Sequence, residues 1–175
     1  LQIDTTPKVR YLSPTEERHL YNAIESRDEE LKAARVRGNA HRASRGYEQM
    51  IDLSKHRYAD RMIPLVILSL KTGMRRGELF DIEWESIDFD NRIITVKAET
   101  AKSSRVRHIP ISATALEVLE AWEQQSPLKK GRVFPADEGG RLDNVRKSWA
   151  SILKIADIKD FRWHDMRHDF ASKLV

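Results

Sequence analysis

The run from Met62 to Leu70 constrains this chain most. Ile63, Leu65, Val66, Ile67 and Leu70 leave no polar face, so Tyr58 to Leu70 reads as a largely buried helix rather than a surface one. Pro64 falls in its first turn, where proline is tolerated. Lys71-Thr72-Gly73 then reads as a stop, with a glycine able to take the left-handed conformation that ends a helix. Met74-Arg75-Arg76-Gly77-Glu78-Leu79 follows at once, and Arg75 to Ile82 reads as a second, short helix. Arg75 and Glu78, three apart, share one face of it. A guanidinium beside a tight turn with a carboxylate behind it suits an oxyanion or phosphate clamp. An ordinary surface Arg/Glu pair has the same pattern, and the octamer alone does not separate the two.

With 175 residues, 40% hydrophobic and 33% charged, the chain has the makings of one globular domain with a sizeable core. No apolar stretch approaches the roughly 20 residues of a membrane-spanning helix. The sequence contains no cysteine, which removes disulfides, thiolate nucleophiles and cysteine-type zinc sites and fits a reducing cytoplasm. The net charge of +4 permits a polyanionic partner without requiring one. Leu1-Gln2-Ile3-Asp4 is neither a signal peptide nor a methionine start, so a piece of a longer protein is expected.

Residues 1–12 read as an entering linker. Ser13-Pro14-Thr15-Glu16 is a helix start with a capping box. Lys32 to Arg45 holds five Lys/Arg and no acid, punctuated by Gly38 and Gly46. It reads as a solvated loop between helices, with a basic edge on DNA phosphates as the sharper alternative. Trp84 to Phe89, Ile93 to Lys97 and Val106 to Ile111 alternate or are β-branched, with turn residues Asp90-Asn91-Arg92 between the first two. Together they predict a small three-stranded antiparallel sheet. Lys102 lies in the second turn. Ser112 caps a helix carrying Leu116, Leu119 and Trp122, and Asp143 is expected to cap another carrying Val145, Trp149, Ile152 and Leu153. A last helix begins near Trp163 and runs to the final residue with no stop signal. The expected fold is therefore mainly α with a small three-stranded antiparallel β-sheet (α+β).

His164 and Arg167 share a face of that last helix. With Arg75 and Lys102 they form a set of cationic and proton-carrying groups able to surround one phosphate. Two guanidiniums would neutralise non-bridging oxygens, a lysine on a hairpin could protonate a leaving alkoxide, and a histidine could take a proton from the attacking group. No carboxylate cluster suits Mg²⁺, so metal-free phosphoryl transfer, with no cofactor, is the natural reading.

These residues give the chain a close resemblance to the catalytic domain of tyrosine recombinases, the phage integrase family. Thr72 to Leu79 resembles the family's first arginine box and Trp84 to Phe89 its first strand. Lys102 with Arg105-Val106-Arg107-His108-Ile109-Pro110-Ile111 resembles its sheet-hairpin lysine. His164-Asp165-Met166-Arg167-His168-Asp169-Phe170-Ala171-Ser172 resembles its His-x-x-Arg box. The resemblance covers about Val9 to Val175, with residues 13–175 as an integrase-type catalytic domain, incomplete at its C-terminus. It implies DNA integration or site-specific recombination, by attack of a tyrosine on a scissile phosphate. That attack gives a 3′-phosphotyrosyl link and a free 5′-hydroxyl, in a bacterial or phage-infected cytoplasm. The implied partners are double-stranded DNA and other recombinase protomers. Arg75 and Arg167 take the phosphate-clamp roles, Lys102 that of general acid, His164 that of proton acceptor or phosphate ligand, and Glu78 that of support behind the arginines. His168 receives no chemical role.

Tyr11, Tyr21, Tyr47 and Tyr58 all precede Arg75 and match no nucleophile position, and the family's tyrosine lies beyond the His-x-x-Arg helix. The expectation is a phosphate pocket without its nucleophile, inactive in cleavage by itself. Arg42, Arg45, Arg105 and Arg107 are candidates for DNA-backbone contact, though solvated surface charge fits each equally well. Two other readings stay open. One is a non-catalytic DNA-binding protein of the same fold. The other is a zinc hydrolase using His164 and His168, four apart on one helix with an acid after the first.

Overall fold

A computed structural model of the chain describes residues 10–97 and 105–174. The elements in order are α1 (Pro14–Ser44), α2 (Met62–Thr72), α3 (Arg76–Asp81), β1 (Ile87–Asp88), β2 (Ile93–Val96), β3 (Arg107–Pro110), α4 (Ala113–Gln125), α5 (Arg146–Ile155) and α6 (Asp165–Ser172). The three strands form one antiparallel sheet in the order β1-β2-β3. The expected fold class, mainly helical with one small antiparallel sheet, is what forms.

Helix α2 is the centre. Leu65, Val66 and Leu68 are fully buried along it, and each such side chain contributes about 1.5–3 kcal/mol of apolar burial. Helices α1, α4 and α6 pack around it. It stops at Gly73, whose backbone is left-handed (φ 59°). The sheet lies to one side with Ile94, Val96 and Ile109 turned into the same core. The register pairs Ile94 with Ile109 and Val96 with Arg107.

Both predicted side-chain caps at Ser13 and Ser112 form. The Ser13 hydroxyl accepts from the Glu16 amide at 3.2 Å while Glu16 reaches back to the Ser13 amide at 2.9 Å. Ser112 accepts from the Ala115 amide.

Four local expectations are corrected. Lys32 to Ser44 is not a loop: α1 continues through Gly38 without a break. A glycine in a helix costs only about 0.5–1 kcal/mol relative to alanine, and Ala33, Ala34, Ala40 and Ala43 surround it. Gly46, with φ 73°, is the true stop. Trp84–Ser86 is a short 3₁₀ turn, leaving only Ile87–Asp88 as strand, because Trp84 is drawn into the core against Phe89. Asp143 does not cap α5. Val145 is pulled into the core and takes the capping position, and the Asn144 side chain accepts from the Arg146 amide instead. Finally, Leu12 is not free linker. It is buried, and its amide donates to the Asp169 carboxylate at 2.9 Å.

Candidate phosphate clamp

The site is built where α2 ends. After Gly73 the backbone turns, and Arg75 sits in extended conformation as the residue that caps α3. Glu78 lies three residues on and reaches back. Its carboxylate accepts from the Arg75 amide at 2.8 Å and from the Arg75 guanidinium Nη1 at 2.9 Å. Arg107, the first residue of β3, grips the same carboxylate with both Nη atoms, Nη1 at 2.9 Å. A carboxylate only 3% exposed therefore takes four hydrogen bonds from two arginines. Burial alone would raise its pKa. The bonds from Arg107 and Arg75 outweigh that and hold it below the ordinary glutamate value, so Glu78 is ionised at neutral pH.

Arg167 comes from the other direction. It projects from α6, and its Nη1 donates to the carbonyl of Gly73, two residues before Arg75. Burial, then the positive charges of Arg75 and Arg107, disfavour its charged form, with Glu78 opposing. Arginine stays protonated under any such pressure. Three guanidiniums thus crowd one carboxylate, leaving two positive charges uncompensated. An oxyanion is the natural neutraliser. The close seating of α6 depends on Gly73, because a Cβ there would lie 2.4 Å from the Phe170 ring.

Helix α6 is held at both ends by buried carboxylates. Asp165 accepts from the Arg162 amide at 2.7 Å and from the Arg162 guanidinium. Asp169 accepts from the Leu12 amide and from Lys173, which also reaches Glu17 on α1. His164 opens the helix and is exposed. Its ring meets that of His168 edge-on, with centroids 5.0 Å apart. Partial burial and then His168 lower its pKa, Asp165 opposing, so the neutral ring with a free lone pair prevails at neutral pH. Among the described residues no group of three His, Cys, Asp or Glu side chains converges as a metal site.

Arg75, Glu78 and Arg167 are thus brought together, and His164 stands on the helix that carries Arg167. Lys102 lies outside the described residues. Val96 and Arg107, the last ladder pair before the connection that contains Lys102, flank this pocket. Arg105 is exposed on the same connection. Arg107 belongs to the pocket itself. The strand alternation carried that signal, for Arg107 shares a face with Ile109 and Ile111, and a charge on a core-facing position needs a partner. Arg42 and Arg45 are not at the site. Glu17 on α1 sits beside Lys71 near the end of α2, and Arg27 beside Asp60 near its start, so the two helices run antiparallel. At 1.5 Å per residue, Arg42 and Arg45 lie about 40 Å along α1 from the clamp end.

A clamp of arginines on a mainly helical domain with a three-stranded sheet is an oxyanion-binding arrangement, and sequence comparison gives the family. Residues 43–175 match the phage integrase family model, and the chain belongs to that family. It is 31% identical to the integrase of Salmonella phage P22 over 122 residues, 63% of this chain and 31% of that protein. It is 23% identical to a XerC-like tyrosine recombinase of Caldanaerobacter subterraneus over 150 residues, 65% of this chain and 38% of that protein. The chain thus spans roughly a third of the length of these relatives. The crystal structure of XerA recombinase superposes with a TM-score of 0.65 at 19% identity, covering 99% of this chain and 51% of that one. The Tn1549 transposon integrase in complex with transposon right end DNA gives 0.66 at 19% identity, covering 99% and 55%. These structures share its fold.

Proposed function

We propose that this chain supplies the scissile-phosphate pocket of a tyrosine recombinase that breaks and rejoins double-stranded DNA in site-specific recombination or integration. The observation that carries the reading is the sharing of one buried carboxylate by Arg75 and Arg107 at the turn where Arg167 also lands. Arg75 and Arg167 hold the non-bridging oxygens of a phosphodiester as negative charge builds on them. Glu78 fixes the direction of Arg75, and Arg107 ties the sheet to it. Neutral His164 accepts a proton or a hydrogen bond at the phosphate. Lys102, five residues before Arg107, is the general acid for the 5′-oxygen. The attacking tyrosine is none of the four in the sequence. Tyr58 is buried, Tyr21 packs under the Lys71 ammonium, and Tyr11 and Tyr47 precede the clamp with the rest. DNA and other protomers of the recombinase are its partners.

The test is ¹⁵N NMR of the arginine Nε resonances during titration with duplex DNA at low salt. Arg75 and Arg167 are expected to shift together, and Arg75→Ala should weaken binding at least tenfold. Unmoved Arg75 and Arg167 resonances at saturating DNA would overturn the proposal. The 175-residue polypeptide is also expected to leave no phosphotyrosyl product on a suicide DNA substrate.

A further inference from the structure

From residue 29 to residue 57 no side chain is buried, yet the stretch is built. It comprises the second half of α1 and the segment that runs back along it. Polar clasps join the two. Arg35 donates to the Ile51 carbonyl at 2.9 Å, and Asn39 both donates to and accepts from the Met50 backbone at 2.9 Å. Arg42 donates to the Glu48 carbonyl and Lys32 to that of Arg57. The result is an arm without a core. It leaves Val36, Tyr47, Met50 and Ile51 between 51% and 70% exposed, an apolar patch of the kind that marks an interaction site.

The arm also holds the chain's charge imbalance. Residues 32–57 contain seven Lys/Arg and two Asp/Glu, whereas the other 149 residues contain 24 and 25. Arg35, Arg42, Arg45 and Lys55 form no salt bridge among the described residues, Lys55 having only the field of nearby Asp52. The arm leads away from the clamp end of α2.

A complementary surface lies at the base of the arm. A groove of about 660 Å³ between α1, α2 and α4 has an apolar floor that includes Ile63, Ile67, Val118 and Ala121. Its rim carries Glu25, Glu29 and Glu117, exposed and outside any ion pair among the described residues, against one exposed cation, Arg57, while Lys32 is paired with Asp28. We infer that the arm docks into this groove on a second copy of the chain. Basic and apolar groups on one surface meet acidic and apolar groups on the other. Because arm and groove adjoin on each molecule, a two-fold axis makes both contacts at once, which closes a dimer rather than a filament. This inference is independent of the phosphodiester chemistry.

Sedimentation equilibrium of the chain from 5 to 300 µM tests it. A monomer–dimer equilibrium that weakens with salt is expected. Ile51→Asp, at a position 70% exposed, should raise the dimer dissociation constant at least tenfold with unchanged circular dichroism, as should Glu25→Lys with Glu117→Lys. Arg45→Glu with Lys55→Glu should do the same, and mixing this variant with the Glu25/Glu117 variant should restore a heterodimer. A monomer throughout the range, or a dimer indifferent to all these changes, overturns the inference. So does an arm variant that weakens DNA binding while self-association stays intact, since the arm would then be a DNA contact.

Discussion

Replacing Gly73 by alanine separates two costs that this fold has placed at one position. The residue has φ +59°, and a non-glycine residue held in the left-handed region costs about 1–2 kcal/mol. The new methyl would also stand 2.4 Å from Cδ1 and 3.1 Å from Cγ of Phe170. A rigid ring on a packed helix cannot give way locally, so α6 must shift, and overpacking of this kind costs about 1–3 kcal/mol more. The expected loss is about 2–5 kcal/mol. For a chain of this size that corresponds to a fall in Tm of about 4–20 °C. Gly46→Ala is the control: φ is +73° but nothing lies within 4 Å of its Cβ. It should lose only the conformational part, about 1–2 kcal/mol. Urea unfolding of the three proteins, followed by circular dichroism, measures both. Because Arg167 hangs from the Gly73 carbonyl, Gly73→Ala should also weaken DNA binding in the folded fraction, while Gly46→Ala should not. Equal losses for the two variants would refute the claim that Phe170 closes on Gly73.

Glu78→Gln should destabilise by about 1–3 kcal/mol, since it leaves the half-buried guanidiniums of Arg75 and Arg107 without their counter-charge; chemical unfolding at pH 7 measures it. The folded pKa of Glu78 lies below its unfolded value. Its contribution to stability is therefore complete above the ordinary glutamate range and disappears as pH falls through the lowered folded value. A pH series of unfolding curves should show wild type losing more stability than Glu78→Gln across that acidic window. Asp169→Ala should cost about 1–3 kcal/mol by orphaning the buried Leu12 amide, whereas Asp169→Asn, which keeps an acceptor for that amide, should cost less; thermal melts of the pair discriminate.

The helices and strands that announced themselves by strong local chemistry were legible in the sequence. The apolar run of α2, the capping box at Ser13 and the cap at Ser112 are short-range events, decided within one turn. What escaped was decided by distant partners. Gly38 looked like punctuation, but the returning segment clasps the helix from outside through Asn39 and Arg42. Val145 displaced Asp143 as the residue that starts α5 because the core claimed its side chain. In the candidate site, Arg75, Glu78, His164 and Arg167 were legible because each sits in a compact pattern. Arg107 reads in the sequence as a DNA-backbone candidate or a solvated charge, although its parity with Ile109 and Ile111 points inward. The seal between Gly73 and Phe170 spans 97 positions of sequence and has no local signature.

The hydrogen bond from Leu12 to Asp169 makes the start of the described chain a mechanical input to its far end. Asp169 stands two residues past Arg167 on the same short helix. A pull on the chain ahead of Ser13 divides between the Leu12 amide, which leads to the turn that aims a guanidinium, and Arg10, which is paired with Glu16 and lies over the Phe161 ring.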